Sequence, residues 1–188
     1  MDRAWRTWAT EFGLDPEYVV PRIHGRRAVD SIRDLGPHLD QRAAFLRLEH
    51  LEATDTDGVV PMPGAIEFLK SLQDIPWGIV TSGSRPIAIP RLRAGGIAPP
   101  TVFVTAEQIS QGKPQPEAFL KGAELLRLPP SEIIAFEDTL AGVRSARSAG
   151  MRVVALSDES AEEADVRIHD YREIAIARSE DLFLLQFK

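Results

Sequence analysis

From residue 63 onward the chain alternates between short apolar runs and stretches of helical spacing, and this alternation restricts its fold more than any other feature. The runs "WGIVTSGS", "TVFVTAEQI", "EIIAFEDT" and "RVVALS" each read as a strand. Strands without polar alternation are those buried on both faces of a parallel sheet. Between them lie "PGAIEFLKSLQ", opened by Pro63, "RPIAIPRLRAGGI", "PQPEAFLKGAELLRL", with Pro114 and Pro116 near its start, and "LAGVRSARSAGM", ended by Gly150. "ADVRIHDYREI" and "EDLFLLQF" close the chain. Such alternation implies an α/β domain over 61–188, built around a parallel, Rossmann-like sheet.

Residues 1–60 have a different character. "RAWRTWATEFG" sets Trp5, Trp8, Ala9 and Phe12 at helical spacing and stops at Gly13. "PEYVVPRIHG" is a short helix broken by Pro21, and "RAVDSIRDLG" and "LDQRAAFLRLEHLEA" are two further amphipathic helices. This region reads as a small all-helical domain. The net charge of −6 argues against a nucleic-acid partner, and no apolar run reaches membrane-spanning length. The absence of cysteine removes disulfides, thiolate metal sites and cysteine nucleophiles. With no visible secretory signal, the expectation is a cytoplasmic monomer.

In parallel sheets ligands bind beyond the carboxyl ends of the strands, so the residues just after each strand carry the functional question. After "WGIV" come Thr81, Ser82, Gly83 and Ser84, whose hydroxyls and backbone N–H groups suit phosphate oxygens, although Ser and Thr also cap helices routinely. Lys113 sits in a Gly-Lys-Pro turn that fixes the backbone around a cation, where a solvated surface lysine is the plainer interpretation. Glu137 and Asp138 follow the next strand directly, an arrangement suited to a hard, oxygen-seeking cation such as Mg²⁺. A helix N-terminus alone would explain one acid there better than two.

In chain order, a hydroxyl loop, a lysine turn and an acid pair resemble the haloacid dehalogenase-like (HAD) hydrolase superfamily. "VTSGSRP", "GKPQPEAFL" and "FEDTLAGVRSARSAGM" look like the versions found in its sugar-phosphate phosphatase branch, which carries a helical cap matching residues 1–60. The resemblance implies Mg²⁺-dependent hydrolysis of small phosphorylated sugars or polyols through an aspartyl-phosphate. Thr81 and Lys113 would stabilise the transferring group, with Ser82 and Gly83 beside it. Asp138, helped by Glu137, would hold the metal. "HGRR" would set Arg26 or Arg27 against the substrate. A phosphosugar mutase would use the same motifs; a dehalogenase would leave the acid pair unexplained.

One part of the pattern is absent. The family's nucleophile loop, Asp-x-Asp-Gly, follows an apolar strand in the middle of the sheet and precedes the cap, whereas Met1-Asp2-Arg3 already reads as the first cap helix. "DTDG" at 55–58 spells the motif but follows the polar helix "RLEHLEAT" and precedes "VVPMPGAIEFL", so it reads as the turn of the cap-to-core linker. The expectation is a truncated chain without the nucleophile, the general acid/base or the central strand. The neighbours of that strand would keep unpaired edges. A non-catalytic binding protein is the alternative from another class.

Overall fold

The computed structural model describes residues 1–179 and 182–187. Four helices open the chain: α1 (Asp2–Glu11), α2 (Pro16–Val19), α3 (Ala28–Leu35) and α4 (Gln41–Thr54). Their starts follow from local chemistry. Asp15 accepts from Glu17 N–H ahead of Pro16, and the Asp40 carboxylate accepts from the N–H groups of Arg42 and Ala43, both at 3.0 Å. The apolar stripes of these helices meet in one cluster of Trp5, Trp8, Val19, Ile23, Ile32 and Leu48. Trp8 is fully buried, and its indole N–H donates to the Ala44 carbonyl at 2.9 Å, which satisfies the one polar atom it takes inside.

The remainder alternates as the sequence predicts. After α5 (Ala65–Ser71) come β1 (Gly78–Val80), α6 (Arg85–Ala94), β2 (Val102–Val104), α7 (Glu117–Leu126), β3 (Ile134–Glu137), α8 (Leu140–Ser148) and β4 (Arg152–Ala155). A short helix α9 (Asp158–Ala161), β5 (Val166–Arg167), β6 (Ile174–Ser179) and β7 (Leu182–Phe187) complete it. Among the described residues no helix is long and apolar enough to cross a membrane.

The parallel strands form two sheets. β1 pairs with β2, β3 pairs with β4, and β4 pairs with β5, all parallel; β6 and β7 form a separate antiparallel hairpin. β1 and β3 are therefore both edge strands. Helix α7 packs on both sheets: Ala118 lies with Val104 and Ile109, while Phe119 and Ala123 lie with Ala135, Val143 and Val153. Val80 at the end of β1 touches both clusters. Residues alternate across β3, as a strand requires: Ala135 faces α7 and α8, while Ile134 and Phe136 join Phe68 and Tyr171 on the other side.

One predicted strand is shorter than expected. "TVFVTAEQI" leaves the sheet after Val104, because Thr105 and Gln108 form a capping box around a turn of 3₁₀-helix, with Gln108 Oε1 accepting from Thr105 N–H at 2.9 Å. The predicted "EDLFLLQF" segment includes β7, whereas Glu180 and Asp181 lie outside the described residues.

Candidate active site

The hydroxyl loop leaves β1 at its carboxyl end. Thr81 N–H donates to the Val104 carbonyl at 2.9 Å, and Thr81 Oγ1 accepts from Gly83 N–H at 3.1 Å, so the loop curls over its own start. The two serines reach outward. Ser82 Oγ donates to the Gly25 carbonyl at 3.0 Å, and the buried Ser84 Oγ donates to Glu49 Oε1 of α4 at 2.5 Å. Ser84 stands in the N-cap position of α6, but its hydroxyl makes no capping bond. The capping alternative raised by the sequence does not describe this serine.

Lys113 and Glu137 form a buried ion pair, their side chains 7% and 6% exposed. Glu137 ends β3 and lies over the first turn of α8, whose N-cap Thr139 accepts from Gly142 N–H at 3.1 Å. A Cβ at position 142 would overlap the Glu137 carboxyl group, so a side chain there would have to displace it. Burial pushes the Glu137 carboxyl above its ordinary range, with the Lys113 ammonium opposing. Asp138 follows and is exposed; its carbonyl accepts from Ser157 Oγ at 2.6 Å. Tyr171, stacked on Phe68, is pushed up to about 12 by burial, with Asp138 and Glu137 adding to the shift.

The loop that carries Lys113 is clamped along its length. The Glu117 carboxylate accepts from Ser110 N–H and Oγ, both at 2.7 Å, and from Gln111 N–H at 2.6 Å. Ser145 Oγ of α8 donates to the Gln115 carbonyl at 2.6 Å. From the helical region, Arg27 donates through Nη1 to the Ile109 carbonyl at 2.9 Å while Nε and Nη2 hold Asp30 at 2.7 and 3.1 Å. Of these clamps the sequence singled out Arg27 alone, and as a substrate contact; Glu117 and Ser145 were not legible as site residues, although an acid in the first turn of a helix after "GKPQP" is the kind of group that ties such a turn.

The turn before α3 touches the other two loops. Gly25 has φ +73°, and a Cβ there would lie 2.7 Å from Thr139 Oγ1. Arg26 is ion-paired with Asp34. A cavity of about 560 Å³ opens between this turn and the lysine loop, lined by Arg26, Arg27, Arg33, Asp30, Gln111 and Lys113 among others. Arg27 and Arg33 share Asp30, Arg26 is paired with Asp34 and Lys113 with Glu137, so four cations against three carboxylates leave its wall with a small excess of positive charge.

The structure thus puts Lys113 in contact with Glu137, Asp138 beside them, and Ser82 and Thr139 on either side of Gly25. The bonds of Thr81 stay within its own loop and β2. The "DTDG" turn is bound elsewhere: Arg3 Nε donates to Asp55 Oδ2 at 2.7 Å and Arg3 Nη2 to the Asp57 carbonyl at 3.1 Å. Arg3 holds the Asp55 carboxyl below its usual range, and neither Lys113 nor Glu137 is among its charged neighbours.

Metal fit rests on few donors. Among the described residues no group of three His, Asp or Glu side chains could hold an ion. Mg²⁺ keeps several waters and is commonly bound by one or two carboxylates plus substrate phosphates. Exposed Asp138 beside the committed Glu137 fits an ion that takes its other ligands from water and phosphate.

Comparison with known proteins identifies the family. A family model described as haloacid dehalogenase-like hydrolase matches residues 4–150. Hexitol phosphatase A of Escherichia coli (strain K12) is 43% identical over 187 residues, covering 95% of this chain and 87% of that protein. Validoxylamine A 7'-phosphate phosphatase of Streptomyces hygroscopicus subsp. limoneus is 38% identical over 91% of this chain and 86% of its own length. The crystal structure of CbbY from Rhodobacter sphaeroides in complex with phosphate shares the fold, with a TM-score of 0.81 at 20% identity over 92% of this chain and 87% of that one. The chain belongs to the haloacid dehalogenase-like hydrolase family, in the branch that contains these sugar-phosphate phosphatases.

Proposed function

We propose that the chain carries the phosphate-binding and metal-binding side of a Mg²⁺-dependent phosphatase acting on small phosphorylated sugars or polyols. The observation that carries this reading is the buried Lys113–Glu137 pair next to exposed Asp138, in a chain 43% identical to a hexitol phosphatase. In this reading Lys113, the Thr81 hydroxyl proton and the Ser82 N–H receive the phosphoryl oxygens, while the Thr81 and Gly83 N–H groups hold the loop in shape. Asp138 supplies an oxygen to Mg²⁺, and Glu137 holds the lysine in place. Bound Mg²⁺ offsets the negative charge of the phosphoryl group. The cationic cavity of about 560 Å³ has room for a small polar phosphomonoester.

The attacking aspartate lies outside this set. Asp55 is held by Arg3, and β1 and β3 each end a sheet where a central strand would join them. We infer that turnover needs a further parallel strand between β1 and β3, carrying Asp-x-Asp at its carboxyl end. The test compares phosphate release from a hexitol phosphate, with Mg²⁺, by the 188-residue chain and by the same chain extended at its N-terminus with such a strand. The expected result is binding without turnover by the first and turnover by the second. If the 188-residue chain turns over and Asp55→Ala abolishes it, the "DTDG" loop is the nucleophile and the account of the first motif fails. Binding without turnover by either would favour a phosphate-binding protein.

A further inference from the structure

We propose that Arg27 is a positioning residue for Lys113, tying the lysine loop to the helical region, a role different from the substrate contact expected from the sequence. The inference rests on the reading of Lys113 as the cation that receives phosphate. Three contacts carry it. The Arg27 side chain is only 11% exposed and bridges two parts of the chain, from Asp30 on α3 to the Ile109 carbonyl at the start of the lysine loop. It also forms the wall of that loop: a Cβ at Gly112, the residue before Lys113, would lie 3.0 Å from both Arg27 Cγ and Nε. The other two clamps, Glu117 and Ser145, come from α7 and α8, elements that flank the loop in sequence or in the sheet.

Asp30 orients the fork from one side, and Arg33 sets Asp30 in turn at 3.1 Å. A planar guanidinium can satisfy a carboxylate and a carbonyl together, whereas an ammonium on a flexible stem holds one of them well. With Arg27 in place, Ile109 and Gly112 are fixed from the outside and the Lys113 ammonium stays on Glu137. Without it, the loop keeps its inner clamps and loses its outer one.

The experiment measures acylation of Lys113 by an amine-reactive ester in the folded 188-residue chain, read by peptide mass spectrometry against exposed Lys70 as internal reference. Loss of a charge-assisted hydrogen bond from a locally opening segment should raise Lys113 labelling about tenfold in Arg27→Gln, with Lys70 unchanged. Arg27→Lys should restore protection only in part. Asp30→Asn, which leaves the bond to Ile109 but removes the orienting carboxylate, should give an intermediate rate and serves if Arg27→Gln does not fold. Lys113 labelling that stays at the wild-type rate in the folded variants overturns the proposal. A parallel titration with inorganic phosphate separates the two readings: if Lys113→Met binds phosphate as the wild type does, the assignment of Lys113 itself is what fails.

Discussion

Lys113 and Glu137 are each nearly removed from water, and neither could stay there alone. Breaking such a pair from one side leaves an uncompensated buried charge, so Glu137→Gln should lower stability by about 3 to 5 kcal/mol in denaturant unfolding. Lys113→Met combined with Glu137→Leu should recover most of that loss. Tyr171 gives a pH-dependent prediction. Its hydroxyl is raised from 10.0 to about 12 in the folded protein, so the folded state holds the proton through a window in which the unfolded chain releases it. Stability should be full below pH 10 and fall as pH rises toward 12; Tyr171→Phe should flatten the fall, as chemical denaturation at stepped pH would show. The site's charged members were legible because acids and a lysine beside prolines and strand ends are local patterns. The partners of Ser82 and Ser84 were not legible: the Gly25 carbonyl and Glu49 lie 57 and 35 residues away, and no local pattern announces them.

At the level of elements, the site depends on how closely a helix start approaches a strand end. Helix α8 begins one N-cap residue after Asp138, and its Gly142 leaves the space that the Glu137 carboxyl occupies. Gly142→Ala should therefore displace Glu137 from Lys113, lowering the melting temperature and weakening phosphate binding together, whereas Ala141→Gly nearby should affect stability alone. Helix starts at Asp15, Pro16 and Asp40 follow from capping by neighbouring residues. The end of β2 was not legible, because "TAEQI" continues an extended pattern until Gln108 turns back onto Thr105.

At the scale of the molecule, the α/β class was legible from alternation, but the division of the parallel strands into β1–β2 and β3–β4–β5 was not, since strand order depends on which edges meet and not on spacing along the chain. That division leaves the hydroxyl loop after β1 and the acid pair after β3 on separate sheets, with α7 packed against both and Gly25 touching both loops. The central claim is that these loops form one metal-assisted phosphate site. Its most direct test is calorimetric titration of a hexitol phosphate into the protein with and without Mg²⁺, repeated with Asp138→Asn. The account predicts that Mg²⁺ tightens binding by about tenfold or more, a coupling of roughly 1.4 kcal/mol, and that Asp138→Asn removes this gain. Equal affinity with and without the ion in the wild type would contradict it.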